Sequence, residues 1–172
     1  MDKLISMGID VYIPHDSSKV GNPDLVVYTA AVHPDNVEYA YAAENNIPLM
    51  DRALLLGKIM DEYRYRIAIS GAHGKTTTTT LTAYLLEQMG FDATIHDGGE
   101  APFLNGNVKS GNSDYFITEA CEFNGSFLKL NPYIGVILNI DFDHVDWFKT
   151  FDNMKKSFLE FANRIDKDGY LV

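Results

Sequence analysis

The stretch RIAISGAHGKTTTTT at residues 66–80 constrains this chain more than any other. Residues 66–70 read as a short apolar strand, Gly71 to Gly74 as a tight turn, and Lys75-Thr76 as the opening of a helix that runs to about Met89. A glycine turn between a strand and a helix N-terminus aims backbone N–H groups and the positive end of the helix dipole at one point, where an anion fits. Lys75 adds a mobile positive charge for the outer phosphates of a nucleotide, and the Thr76 hydroxyl suits Mg2+. Gly71, Ala72, His73, Gly74, Lys75, Thr76 and Thr77 are the expected phosphate-binding residues. A side chain at Gly74 would block the close approach of backbone to phosphate. His73 orients the loop or touches phosphate, and simple stabilisation of the turn explains it equally well. The full loop pattern G-x-x-x-x-G-K-[ST] requires glycine at position 69, where Ile69 stands, so the match is to the shorter G-x-x-G-K-T. An ordinary strand–turn–helix junction shares that string. The strand before it and the hydroxyl run at 76–80 after it favour phosphate.

Composition narrows the classes. The net charge of -10 argues against nucleic acid held on a basic surface. An acidic protein that binds polyanionic nucleotides must concentrate its positive field locally, as Lys75 at a helix N-terminus would. With 172 residues, 46% of them hydrophobic, the chain suffices for one domain or two small ones with a buried core. Its one cysteine, Cys121, allows no internal disulfide and fits a reducing compartment. No stretch approaches the roughly 18 apolar residues of a membrane span, and no signal peptide is visible. The expectation is a soluble cytoplasmic protein that binds neither nucleic acid nor membrane, its oligomeric state open.

Along the chain, strand and helix patterns alternate. Residues 1–7 read as a helix end stopped by Gly8, 9–13 (IDVYI) and 24–30 (DLVVYTA) as strands, and 34–45 as a helix helped at its start by Asp35. Residues 47–49 form a short strand, and 51–63 a helix with Leu54, Leu55, Ile59 and Met60 toward a core. After the glycine turn and its helix come a strand at 92–95, a Gly- and Asn-rich loop at 97–113, strands at 114–119 (DYFITE) and 133–139 (YIGVILN), and an amphipathic helix at 150–164. That helix places Phe151, Met154, Phe158, Leu159 and Phe161 on one side. Residues 170–172 begin a further strand. The βα rhythm predicts an α/β fold with a mostly parallel sheet, in two pieces that meet near residue 64. The strand at 66–70 should lie beside 114–119 or 133–139.

Two acidic clusters sit at strand ends: Glu119 with Glu122, and Asn139-Ile-Asp141-Phe-Asp143-His144-Val-Asp146. Ligands of open parallel sheets lie beyond the carboxyl ends of the strands. Both clusters and the glycine turn can therefore converge on one edge, where a Mg2+-bound triphosphate would lie. The competing reading makes Asp141, Asp143 and Asp146 loop and capping residues and His144 a surface histidine.

GAHGKTTTT, EACEFNGSFL at 119–128, LNIDFDHVDWF at 138–148 and FDNMKKSFLEF at 151–161 together resemble the Mur ligase family. The His of G-x-H-G-K-T and the E-A-x-E-x-x-x-S-F-L run point to the branch that joins L-alanine to UDP-N-acetylmuramate. VVYTAAVHPDNVEYAYAAENNIPL resembles the tail of that branch's first domain, so the resemblance covers nearly the whole chain. It implies residues 1–64 as the C-terminal part of a Rossmann-like UDP-substrate-binding domain and 65–172 as the N-terminal part of a P-loop central ATP-binding domain.

The activity implied is ATP-dependent ligation through an acyl phosphate in peptidoglycan precursor synthesis, with ATP and Mg2+ required and UDP-N-acetylmuramate and L-alanine as substrates. By resemblance Lys75 holds the outer phosphates, Thr76 and Glu119 ligate one Mg2+, and His144 ligates a second. Lys75, His144 and Glu119 are thus the expected catalytic residues. Asn139 and Asn107 are expected substrate or phosphate contacts, with loop hydrogen bonding as the alternative for both. Thr29 and His33 stand where the family's first domain holds the UDP part, and Lys109 could meet a substrate phosphate. Cys121 and Asn124 stand where many relatives have Asp, which leaves Glu119 and Glu122 as the available acids. The family's opening glycine loop would precede Met1, and further domains would follow Val172. The expectation is therefore an internal piece that binds phosphate weakly and is itself inactive. A sibling ligase, including a folylpolyglutamate synthase-like one, a P-loop kinase or NTPase, and a non-catalytic remnant stay open as alternatives.

Overall fold

The computed structural model describes residues 2–141 and 145–172, and the side chains of 2–141 and 147–172. It divides into two compact units, Met1–Leu55 and Leu56–Val172. In the first, α1 (Asp2–Ser6) precedes a two-stranded parallel sheet of β1 (Val26–Tyr28) and β2 (Leu49–Asp51), which are joined through α2 (Val37–Glu44). Asn36 caps α2: its side-chain oxygen accepts from the Glu38 and Tyr39 N–H groups, which have no acceptor one turn back. The expected helper, Asp35, lies one residue too early. Asp51 serves α3 (Arg52–Asp61) in the same way, accepting from the Ala53 and Leu54 N–H groups.

Residues 9–13, expected as a strand, pair with neither β1 nor β2 and leave Ile9, Tyr12 and Ile13 exposed. A strand is defined by the neighbour that accepts its hydrogen bonds, and apolar alternation alone supplies none. The division between units falls inside α3, because Met60 is buried in the core of the second unit. Met60 faces a core as expected, whereas Leu54 and Ile59 are exposed and Ala53 is buried in their stead.

The second unit is built on β3 (Tyr65–Ser70), α4 (Lys75–Gln88), β4 (Thr94–Ala101), β5 (Gly106–Lys109), β6 (Tyr115–Glu119), β7 (Ile134–Ile137), α5 (Val145–Phe148), α6 (Phe151–Ala162) and β8 (Tyr170–Leu171). The sheet order is β5-β4-β6-β3-β7-β8. Every pair is parallel except β4 with β5. The glycine-turn strand β3 is central, flanked by both strands that the sequence offered. One face of the sheet packs Ile67, Ile69, Ile95 and Ile117 with Ala83 of α4. The other packs Phe116 with Met154, Phe158 and Phe161 of α6 and with Phe127. Phe127 stacks on Phe161 at 5.0 Å and meets Phe158 edge-on at 5.3 Å. The predicted stripe of α6 is narrower than its sequence suggests, since Phe151 and Leu159 are exposed.

The expected loop at 97–113 is mostly a hairpin. β4 runs on to Ala101, and β5 returns antiparallel with Ile95 opposite Lys109 and Ala101 opposite Gly106. DGGEA reads as a turn, but its glycines serve close approach: a Cβ on Gly98 would stand 2.0 Å from Glu119 Oε2, and one on Gly99 would stand 2.9 Å from Thr76 Cγ2. No helix among the described residues is long and apolar enough to cross a membrane.

Candidate functional site

Strand β3 ends at Ser70, and the chain turns through residues 71–74 into α4. Gly71 has φ +142 and Gly74 has φ +85, conformations that glycine adopts at little steric cost. Gly74 is the N-cap of α4 and has no side chain to offer the first-turn N–H groups, so those donors stay available to an anion. Ala72, His73, Gly74, Lys75, Thr76, Thr77 and Glu119 line a pocket of about 340 Å3.

Glu119 ends β6, the neighbour of β3, and its carboxylate reaches the pocket rim. The Thr76 hydroxyl donates to Glu119 Oε2 at 2.7 Å. Two hard oxygens so placed match neighbouring ligands of one octahedral Mg2+, which at ~2.1 Å from the ion sit about 3 Å apart. The site residues therefore fit the cation that the sequence implied. Among the described residues no group of three or more His, Cys, Asp or Glu side chains gathers at one point, so phosphate or water oxygens would complete the shell.

Lys75 lies at the pocket floor. Its ammonium donates to the Gly71 carbonyl at 2.6 Å and the Ala72 carbonyl at 3.3 Å, and stands 3.0 Å from Glu122 Oε2. Glu122 is completely buried. A charge so placed is tolerable only when paired and hydrogen-bonded. Sequence reasoning offered Glu122 as a spare acid and missed this pairing, because 47 residues separate the partners. It also missed the buried Asp97 of β4, to which the Thr80 hydroxyl donates at 2.6 Å, tying β4 to α4.

Asn139 follows β7 and makes loop hydrogen bonds. Its side-chain oxygen accepts from the His73 N–H, and its side-chain nitrogen donates to the His73 carbonyl, each at 2.9 Å. One donor and one acceptor of the carboxamide are used in this way, which is the loop hydrogen bonding given as the alternative to substrate contact. The exposed His73 ring stands 3.5 Å from Asp141. Asn107 is exposed on β5, next to Gly106, which pairs with Ala101 two residues beyond Gly99. Lys109 makes ion pairs with Glu87 and Asp92 at the other end of the hairpin. His144 and Asp143, singled out in the sequence, lie outside the described residues, as does the side chain of Asp146. In the first unit Thr29 lines a cavity of about 210 Å3 together with His15, Tyr28, Asn36, Glu38 and Tyr39. His33 is not among the residues lining that cavity.

The profile described as Mur ligase middle domain matches residues 69–172, and that described as Mur ligase family, catalytic domain, matches residues 1–64. A UDP-N-acetylmuramate–L-alanine ligase of Clostridium tetani is 53% identical over 172 residues, covering 100% of this chain and 38% of the relative. One from Caldanaerobacter subterraneus is 52% identical, covering 100% and 37%. The crystal structure of a UDP-N-acetylmuramate–alanine ligase from Thermotoga maritima superposes with a TM-score of 0.88 at 27% identity, over 96% of this chain and 39% of that one. The UDP-N-acetylmuramate:L-alanyl-gamma-D-glutamyl-meso-diaminopimelate ligase of Neisseria meningitides, 23% identical with a TM-score of 0.85 over 99% of this chain and 58% of that one, shares the fold. The chain thus spans well under half the length of the curated relatives it matches.

Proposed function

The chain belongs to the Mur ligase family, and from that premise we propose that the protein carrying it joins L-alanine to the carboxylate of UDP-N-acetylmuramate as ATP is cleaved to ADP and phosphate. In this reading residues 1–64 are the C-terminal part of the Rossmann-like domain that receives the UDP substrate, and 65–172 are the N-terminal part of the central ATP-binding domain. The reaction belongs to peptidoglycan precursor synthesis in the cytoplasm.

The observation that carries the reading is the Thr76–Glu119 pair, 2.7 Å apart at the rim of the glycine-turn pocket. It joins a hard-cation site to an anion cradle. The names of the two relatives above supply the acceptor side.

The substrate carboxylate attacks the γ-phosphorus, the bond to ADP breaks, and an acyl phosphate results. The amine of L-alanine then attacks the acyl carbon, phosphate departs, and the amine proton passes to solvent. Such transfers depend on positioning and charge neutralisation rather than on a covalent protein group. Lys75 supplies charge to the outer phosphates from the pocket floor. The N–H groups of the first turn of α4 orient them. Mg2+, when bound, neutralises the phosphate oxygens; Thr76 and Glu119 would hold it, and by family resemblance His144 would hold a second ion. Asn107, on the hairpin at the same sheet end, is the proposed contact to the substrate.

The test is ADP formation by a ligase of the relatives' length carrying this sequence, with UDP-N-acetylmuramate and L-alanine each omitted in turn. Dependence on both supports the reading. ADP formation independent of the amino acid would replace it with a plain NTPase, and a preference for another amino acid with a sibling ligase.

A further inference from the structure

We propose that Asn139 is a positioning residue that sets the shape of the phosphate cradle by clasping the His73 peptide unit, a role that deepens and rests on the nucleotide-binding reading above. The parallel pairing of β3 with β7 ends at Ser70 opposite Ile137. Beyond it the contacts continue: Leu138 N–H donates to the Ser70 carbonyl at 3.0 Å, and Ala72 N–H to the Asn139 carbonyl at 3.2 Å. The Asn139 side chain then takes the place of the next strand residue, accepting from and donating to His73 at 2.9 Å each. A carboxamide alone among side-chain groups presents a neutral acceptor and a donor side by side in this way.

The close approach is built into the turn. A Cβ at Gly71 would stand 3.1 Å from Leu138 Cβ and 3.2 Å from the Asn139 backbone N and O. The clasp has a consequence for the ligand. The N–H groups of Ala72 and His73 are spent on Asn139, so the cradle is left with those of Gly74 and the first turn of α4, which have no acceptor one turn back. With glycine absent at position 69, this loop is shorter than the full pattern and wraps an anion with fewer donors of its own. Its geometry is fixed from outside, by the neighbouring strand end. Small misplacements of such donors are costly in binding and in rate.

Two measurements test this. Calorimetry of Mg-ATP binding and amide hydrogen exchange are made on the chain, and kinetics on a ligase of the relatives' length carrying it. Asn139→Ala should weaken Mg-ATP binding roughly tenfold, the usual scale for two lost hydrogen bonds, speed exchange at the His73 amide, and leave the KM for UDP-N-acetylmuramate within about twofold. Asn139→Asp keeps the shape but loses the donor and adds negative charge beside the phosphates, so its loss should be larger; it carries the comparison should the alanine variant not fold. Unchanged nucleotide affinity with a raised KM for the UDP substrate would overturn the clasp and make Asn139 a substrate contact. Absence of nucleotide binding by the unsubstituted chain would count against the ligase reading instead. In that case exchange at His73 judges the clasp, which falls if the amide is equally fast in both proteins.

Discussion

The Lys75 ammonium stands 3.0 Å from a Glu122 carboxylate that has no exposed surface. The two residues are unequal in what they leave behind. Without Lys75, the buried Glu122 carboxylate loses the ammonium that stands beside it. Without the Glu122 charge, Lys75 retains the Gly71 and Ala72 carbonyls and a pocket open to water.

Stability should follow that asymmetry. Removing one partner of a buried pair costs about 3 kcal/mol, so Lys75→Ala should lower the melting temperature more than Glu122→Gln. The double variant should recover part of the Lys75→Ala loss, which thermal denaturation of the three proteins reads directly. Equal losses that simply add would show that the pair is not coupled. In a ligase of the relatives' length, Lys75→Ala should also nearly abolish turnover, and a kcat within a few-fold of the unsubstituted enzyme would remove Lys75 from the phosphate site.

Gly98 separates function from stability. A Cβ there would stand 2.0 Å from Glu119 Oε2, the far end of a flexible side chain. Gly98→Ala should therefore displace that carboxylate from Thr76 and raise the Mg2+ concentration needed for nucleotide binding, while stability changes by less than about 1 kcal/mol. At Gly57 the Cβ would stand 2.1 Å from the Lys129 backbone carbonyl, which cannot swing aside. Gly57→Ala should lower the melting temperature and leave the Mg2+ requirement alone. Identical behaviour of the two variants would contradict this division.

How much of this was legible in the sequence depends on the range of the signal. The glycine turn, β3, α4 and the two strands flanking β3 are written locally, in an apolar run, a turn and a helix opening. Glu119 could be placed at the pocket because parallel strands deliver their carboxyl ends to one edge. The second half of β4 was not legible, because Gly98 and Gly99 look like turn residues until Glu119 and Thr76 are seen against them. The roles of Glu122 and Asn139 were hidden for the same reason: each depends on a partner distant in the chain. The exposure of Leu54, Ile59 and Leu159 was missed because periodicity marks a helix face without saying how wide its neighbour is.

The hairpin base gives a pH signature. Hydrogen bonding to Lys109, and then to Asn112, lowers the Asp92 carboxyl from 3.8 to about 2. A carboxylate with a depressed folded pKa takes up its proton more readily when unfolded, so its stabilisation is whole above pH 3.8 and is lost as pH falls through about 2. Asp92→Asn should therefore lower the melting temperature at pH 6, and the gap from the unsubstituted protein should close between pH 4 and pH 2. A gap that persists unchanged at the acid end would contradict the assignment.

The central claim is that Thr76 and Glu119 form the cation edge of a nucleotide cradle, and calorimetric titration of ATP with and without Mg2+ into the chain and its Glu119→Gln variant tests it most directly. The account predicts that Mg2+ strengthens ATP binding to the unsubstituted chain, and that the strengthening falls at least about tenfold in the variant, since one anionic ligand of the ion is replaced by a neutral amide. Equal Mg2+ dependence in the two proteins would contradict it.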